Sequence, residues 1–252
     1  MAPFEKLGPD WRDAAAYAPL LAADRSIFAW EWLRRDPAYR EAAAAALSGA
    51  GALPPERWGL HAFEPPDRWA PHARPIWSAA VHGYVLAAEA TAAPDAAAAF
   101  DVSRLEGLAT LARDAGGDEH LLISDGVRAI RLDVSGGSVG ERPARLRYRL
   151  EGLSGLDKPL LTLRRLVALW RTGRFARSLH PPEARARRWI LLLRAYDALA
   201  AGADQREIAA FLLNRAAAGV RWRSEAPSLR LRAQRLVRGA RSMAGTYLEL
   251  LR

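Results

Sequence analysis

The sequence predicts an α+β fold that is mostly α-helical. Apolar residues recur at helical spacing across residues 185–241, and an alanine-rich helical segment lies near the N-terminus. Two short β-branched runs are joined by Asp125-Gly126, which is a strong hairpin signal. We therefore expect an N-terminal helical hairpin (residues 1–48), a Pro/Gly-rich connector (49–108) and a third region (109–252). The third region is expected to contain a β-hairpin, which belongs to a small antiparallel β-sheet in the middle of the chain. A C-terminal helical domain of helix-turn-helix-like form is expected to follow it.

The N-terminal hairpin is predicted from its caps and its aromatic residues. Asp24 suits the start of one helix, and Pro37 either ends that helix or opens the next. The tryptophans and tyrosines of this segment could stack on bases, but aromatics at helical spacing more often build a small core or an interface. Within residues 49–108, His61, His72 and His82 lack the spacing of a helical pair of zinc ligands. We expect them to be ordinary histidines, with no metal and no cofactor.

The middle of the chain reads as β structure. Residues 77–90 are compatible with a strand or with a short helix. The hairpin at Asp125-Gly126 follows, and then the glycine-rich SGGSVG, which lacks the lysine of a phosphate-binding loop and is expected to be a turn. In ARLRYRLEG, the arginines at 145, 147 and 149 alternate with apolar residues, which predicts a half-buried strand with a basic outer face.

Four helices are predicted towards the C-terminus. The first, residues 160–171, is amphipathic, with Leu163, Leu166, Val167 and Trp170 expected to face inwards. The second ends at Gly202, and Asp204 with Glu207 forms a capping box for a short third helix, which carries Ile208, Phe211 and Leu212 on one side. The fourth begins near Pro227.

The fourth helix is the candidate functional element. Its apolar stripe is Leu229, Ala233, Leu236, Val237 and Ala240, and no acidic residue occurs between Pro227 and Tyr247. A helix that is basic only for solubility would normally contain interleaved glutamates. Arginine can pair with guanine and glutamine with adenine in a DNA groove, so Arg230, Gln234 and Arg238 are expected to read bases. Five further arginines are expected to hold phosphates: Arg221, Arg223, Arg232, Arg235 and Arg241.

Composition supports a polyanion as the partner. Of the 252 residues, half are hydrophobic and none is cysteine, which fits a globular protein of a reducing cytoplasm. No apolar run reaches the roughly 20 residues that a membrane span needs. Residues 142–252 hold 24 Lys and Arg against 8 Asp and Glu, whereas residues 1–141 hold 13 against 20. The basic half is expected to bind nucleic acid and the mildly acidic half to do something else.

With these residues in view, the chain resembles the RovC-like DNA-binding domain family, named from a regulator of type VI secretion. Similar domains occur in transcriptional activators of integrative and conjugative elements. The matching features are Asp125-Gly126, the segment LRAYDALAAGADQREIAAFLL, Trp222, the arginine helix and the terminal YLELL. WEWLRRDPAYR, residues 30–40, is similar to the small regulator-like domain that often precedes or is fused to it. The resemblance implies a helix-turn-helix transcription factor, with activation the expected mode.

Three functions remain open at this point. The first is a regulator that binds double-stranded promoter DNA, with RNA polymerase and a second copy of the chain as candidate partners. The second is an enzyme on nucleic acid, which we do not expect because the acids of the basic half are scattered and expected to be mostly caps or surface groups. The third is an adaptor whose basic face binds an acidic protein. Deleting residues 1–47 is expected to spare DNA binding while removing activation or assembly.

Overall fold

The computed structural model describes residues 8–51, 53–93, 99–213 and 227–252, and it has the α+β, mostly helical fold expected. The N-terminal region holds a 3-10 segment (Ala15–Ala22), α1 (Arg25–Leu33) and α2 (Pro37–Leu47). Pro37 is the first residue of α2. The Asp36 carboxylate caps this helix by accepting hydrogen bonds from two amides of its first turn. Asp24 precedes α1 but does not cap it with its side chain, which instead accepts a 2.8 Å bond from the amide of Ala129.

One five-stranded sheet occupies the middle of the chain. Its strands are β1 (Val85–Ala92), β2 (Ala109–Arg113), β3 (Glu119–Ser124), β4 (Ala129–Ser135) and β5 (Ala144–Arg149), and their order across the sheet is β2-β3-β4-β1-β5. β2, β3 and β4 form an antiparallel meander, and β5 is antiparallel to β1. The expected basic outer face of β5 is present, because Arg145, Arg147 and Arg149 are exposed.

The sheet is mixed rather than wholly antiparallel, because β1 pairs in parallel with β4. The sequence left residues 77–90 open between strand and helix, and the strand interpretation is right for its second half. Even-numbered positions from Leu86 to Ala90 are buried, which is the period-2 alternation of a strand covered on one face. The chain leaves β1, crosses to the far edge at β2 and returns through the meander, so that β4 arrives beside β1 in the same direction.

The β3–β4 hairpin forms at Asp125-Gly126 as expected. Asp125 Oδ1 accepts hydrogen bonds from the amides of Val127 and Arg128, and its other oxygen lies 2.9 Å from the Arg128 guanidinium. Gly126 has φ +94°, and a β-carbon there would lie 1.8 Å from the carbonyl oxygen of Pro71. The turn therefore also serves as a contact with the segment that precedes the sheet.

The C-terminal helices are α3 (Asp157–Thr172), α4 (Ala186–Ala200), α5 (Gln205–Ile208) and α6 (Pro227–Gly245), and a 3-10 turn (Tyr247–Leu251) follows. A π-helical turn (Ala209–Leu213) continues α5. Two side chains differ from expectation: Val167 of α3 is 45 % exposed, and Phe211 is 46 % exposed. In α3 the stripe is completed instead by Leu169, which packs under the sheet with Leu166.

Two hydrophobic cores hold these elements together. The smaller one lies between the sheet and α3. The larger one joins the two ends of the chain, because side chains of α1 and α2 pack with those of α4, α6 and the terminal 3-10 turn. Trp30, Trp32 and Tyr39 are almost fully buried there, so the interpretation of the N-terminal aromatics as a core is right. Trp32 packs on Tyr196 of α4, whereas Trp30 and Tyr39 pack on each other and Tyr39 also on Trp58, so their burial needs segments outside the hairpin.

Candidate nucleic-acid interface

α6 packs one face against α4 and leaves the other to solvent. Ala233, Val237 and Ala240 are buried, and α4 is its main neighbour. A β-carbon at Gly239 would come within 3.0 Å of Cδ2 of Leu192, so glycine allows the two helices to approach closely there. Small residues at these positions therefore let α6 pack closely against α4, and this packing determines which face of α6 is exposed to solvent.

The outward face of α6 is a continuous polar stripe, which we call the arginine face. It consists of exposed side chains at steps of three and four: Leu231, Gln234, Arg235, Arg238 and Arg241, with Arg232 beside them. Arg230, a predicted base reader, is only half-exposed and lies at the boundary with the buried stripe. The face is thus turned from the predicted one towards Arg235, and it includes Leu231, which is 45 % exposed.

The guanidinium groups of α6 are free of partners in the described part of the chain. Within it, no carboxylate lies within 4.0 Å of any of them. The helix carries five arginines and no acid. From Arg230 to Arg241 it extends by roughly 16 Å at 1.5 Å per residue, which matches about five phosphates of one DNA strand at 3.4 Å intervals. The helix is therefore a cationic surface that the described residues do not neutralise.

α5 lies next to α6 and is anchored at its start. Asp204 accepts hydrogen bonds from the amides of Arg206 and Glu207, and the Glu207 carboxylate accepts one from the amide of Asp204, so the predicted capping box is present. Exposed Phe211 meets Trp11 edge-on at 5.4 Å between ring centroids. The connection between α5 and α6, residues 214–226, lies outside the described residues, and so do the predicted phosphate contacts Arg221 and Arg223.

Several acids of the basic half make structural contacts. Asp204 and Glu207 cap a helix, and Glu183 lies 2.6 Å from the Arg25 guanidinium. Asp197 is the exception to the expected surface or cap role, because it faces the interior. Its two oxygens lie 2.6 and 2.7 Å from the guanidinium nitrogens of Arg35. Although burial lowers the pKa of Arg35, the carboxylates of Asp197 and Glu31 raise it overall.

One group of side chains away from α6 has the chemistry of a metal site. His61, His120 and Asp133 offer ligand atoms that all lie within 4.8 Å of one another, the one such group with three or more ligands among the described residues. The two imidazole rings are stacked with their centroids 3.3 Å apart. The sequence pattern missed this group because its members lie on separate segments, and only the strand register brings them together.

The chain matches two family models. Residues 154–252 match the family described as a T6SS transcription factor, DNA binding domain, the RovC DNA-binding domain. Residues 10–62 match the proteobacterial transcriptional regulator-like domain. No curated protein matches the chain. The first range begins after β5, so the Asp125-Gly126 hairpin lies outside both.

These matches confirm the resemblance and the order of the two regions. The C-terminal part of the chain is similar to the family of RovC DNA-binding domains, and a part similar to a regulator-like domain precedes it. Both matches are to domains of transcriptional regulators, and the chain is therefore a DNA-binding regulator of transcription. The described residues include no helix that is both long and apolar enough to cross a bilayer.

Proposed function

We propose that this chain regulates transcription by placing the arginine face of α6 in a groove of promoter DNA. The observation that carries the proposal is the outward stripe of guanidinium groups, for which the described part of the chain supplies no carboxylate partner. Exposed charges of one sign along a helix attract a polyanion, and the packing of α6 on α4 makes that stripe rigid. The family match supports DNA as the polyanion.

We also propose individual roles within the arginine face from the exposure of its side chains. Gln234 and Arg238 remain the proposed base readers, and Arg235 joins them because it is exposed, whereas Arg230 is only half-exposed. Arg230, at the boundary of the buried stripe, is better placed for a phosphate beside the groove. Arg232 and Arg241 are proposed phosphate contacts, as the sequence suggested. Arg221 and Arg223 stay predicted phosphate contacts.

Two finer parts of the function are also proposals. We propose that the protein activates transcription rather than represses it, because its sequence resembles a family that includes activators. Contact with RNA polymerase and self-association would use surfaces other than the arginine face, since that face is committed to DNA. A reporter gene behind the selected site tests the sign of regulation, because an activator raises its expression and a repressor lowers it.

The binding experiment starts from a randomised duplex library, from which the protein selects its preferred site. Affinity for that site is then compared with affinity for a scrambled duplex at several salt concentrations. Arg235→Ala should weaken binding and lower the slope of log affinity against log salt by about 0.9, the value for one phosphate, if its role is electrostatic. If it reads a base, Arg235→Ala should instead relax preference at one position, at a cost of about 1–3 kcal/mol.

Arg68→Ala is the matched control, because Arg68 is an exposed arginine outside α6. It should leave affinity, slope and base preference unchanged. The proposal is overturned if the wild-type protein binds the selected and scrambled duplexes equally at matched salt. Equal, weak binding to both together with tight capture of an acidic protein would favour the adaptor function instead.

A further inference from the structure

We propose that His61, His120 and Asp133 form a binding site for a divalent transition metal ion, with zinc as the ion that fits best. His120 and Asp133 are directly paired residues of β3 and β4, so their side chains share one face of the sheet. His61 reaches the same place from the segment before the sheet, where its amide donates a 3.0 Å hydrogen bond to Ile76. The proposed site is separate from α6 and independent of DNA binding.

The distances suit shared ligation of one ion. An Asp133 oxygen, Oδ1, lies 2.7 Å from Nδ1 of His120 and 4.0 Å from Nε2 of His61. Ligands at about 2.0–2.2 Å from one tetrahedral zinc ion stand about 3.3–3.6 Å from each other, so an ion would have to lengthen the 2.7 Å separation and shorten the 4.0 Å one. The ring planes differ by only 13°, so the nitrogen lone pairs of the two rings lie in two nearly parallel planes. Coordination therefore requires His61, the more exposed ring, to tilt towards the ion.

Buried nitrogen atoms of this group that lack a hydrogen-bond partner indicate a ligand. Nε2 of His61 and Nε2 of His120 are both buried without a hydrogen-bond partner. His120 is 5 % exposed, and the nearest carboxylate oxygen to its Nε2 belongs to Asp114 at 3.5 Å. Leaving a buried nitrogen unsatisfied costs about 1–3 kcal/mol. A metal ion bound by Nε2 of His61 and Nδ1 of His120 would satisfy the first of these nitrogens, and it would leave Nε2 of His120 protonated and able to donate to Asp114.

The protonation state of His61 is compatible with a ligand. Burial, together with His120 and Arg131, lowers its pKa to about 4, so the ring is neutral at pH 7. Neutral imidazole is the form that binds zinc. The Arg131 guanidinium donates a 2.7 Å hydrogen bond to the same oxygen of Asp133, and its charge opposes that of the ion. Affinity should therefore be moderate compared with a site that lacks a neighbouring cation.

A metal ion here would tie two regions together. His61 belongs to the range that matches the regulator-like domain, while His120 and Asp133 belong to the sheet. An ion that binds the folded protein and not the unfolded chain raises stability by mass action. Zinc would thus add a cross-link between the N-terminal region and the sheet.

The test uses the full-length protein, freed of any affinity tag and of metal by chelation. Zinc titration by calorimetry should give about one site per chain, and melting temperature should rise with zinc. Cobalt at the same site should give the absorption bands of a tetrahedral ion bound by nitrogen and oxygen. His61→Ala and His120→Ala should each weaken zinc binding by roughly tenfold or more.

His72→Ala is the matched control, because His72 is exposed and lies outside the cluster. It should bind zinc as the wild-type protein does. Circular dichroism of each variant without metal separates lost folding from lost ligation, and His61→Gln serves where His61→Ala does not fold. The proposal is overturned if the wild-type protein takes up no stoichiometric zinc, or if folded variants at His61 and His120 bind it with unchanged affinity.

Discussion

Gly126 shows how a single residue can serve two purposes. The Asp-Gly pair identifies a turn from sequence alone, because glycine accepts a positive φ without steric cost. The close approach of Pro71, 1.8 Å from the place of a β-carbon, belongs to tertiary structure and has no local sequence signal. The hairpin could therefore be predicted, whereas its role as a packing surface could not.

Gly126→Ala should destabilise the protein by more than the cost of backbone strain. A left-handed conformation costs an alanine about 1–2 kcal/mol, and the clash with the Pro71 carbonyl adds to that. Gly117→Ala is the matched control, since Gly117 has φ +87° but no atom within 4 Å of a β-carbon. Urea unfolding should show a clearly larger loss of unfolding free energy for Gly126→Ala. Equal losses for the two variants would contradict the close contact.

His82 should make the protein sensitive to mild acid. Its ring is buried beside Tyr84, with Nδ1 3.5 Å from the carbonyl oxygen of Leu251. Burial lowers the pKa of His82 to about 4, below the value of about 6.5 expected in an unfolded chain. Between these values the unfolded chain binds more protons, so the free energy of unfolding falls as pH falls from 7 to 5.

His82→Gln removes this titration. From pH 7 to pH 5 the variant should lose on the order of 2 kcal/mol less unfolding free energy than the wild-type protein. Urea unfolding at the two pH values measures the difference, even if the variant is less stable at both. His72→Gln, at an exposed histidine, should keep the wild-type pH dependence. If His82→Gln also keeps the wild-type pH dependence, the His82 ring is not buried in its neutral form.

At the scale of elements, the sequence predicted the basic helix well but not its rotation. Pro227, the stripe through Ala233 and Val237 and the absence of acids are local features, and α6 has all of them. Which side faces out depends on how α4 meets the helix, and small side chains at Ala240 and Gly239 bring the two close. That packing leaves Arg230 only half-exposed, at the edge of the buried stripe, and helical periodicity alone did not indicate this.

Leu231 tests the observed rotation, because it lies within the arginine face and its side chain is 45 % exposed. If the face enters a groove, Leu231→Ala should cost about 1 kcal/mol of specific affinity, or roughly fivefold, from lost apolar contact. The salt slope should not change, since no charge is removed. Stability should change by no more than about 0.5 kcal/mol, as for an exposed site.

Gel-shift titrations with the selected duplex, combined with urea unfolding, measure these effects for Leu231→Ala. Leu153→Ala is the control, as Leu153 is 92 % exposed and lies outside α6. It should change neither affinity nor stability. Wild-type affinity in Leu231→Ala would place the DNA on another side of the helix.

At the scale of the whole molecule, the ends of the chain share one core. Local patterns marked helices at both ends, but no pattern within either end showed that α1 and α4 would pack together. The bidentate contact between Arg35 and Asp197 crosses that interface, and the hydroxyl of Tyr17 donates a 2.7 Å hydrogen bond to the same carboxylate. Contacts between residues some 160 positions apart are set by the assembled fold, which is why the sequence suggested separable parts.

Deleting residues 1–47 should therefore unfold the DNA-binding helices rather than spare them. The deletion would uncover the buried side chains of Trp189 and Leu193 and leave Asp197 without Arg35. The shortened protein should bind a dye specific for exposed apolar surface, lose cooperative thermal unfolding and lose specific DNA binding. This outcome reverses the expectation drawn from the sequence, in which DNA binding survives the same deletion. A shortened protein that unfolds cooperatively and binds the selected duplex with full affinity would contradict the shared core.

Asp197→Ala tests the same interface with one substitution. Removing Asp197 takes away one carboxylate that contacts buried Arg35 and leaves Glu31, which also pairs with Arg34, to balance its charge. The expected loss is about 3 kcal/mol of unfolding free energy. Glu151→Ala is the control, because the pair of Glu151 with Arg149 is exposed and should contribute within about 0.5 kcal/mol. Since Asp197 lies on α4, the helix that supports α6, its loss should also weaken DNA binding in proportion to the unfolded fraction. Full DNA affinity at a temperature where Asp197→Ala is half unfolded would separate α6 from the shared core.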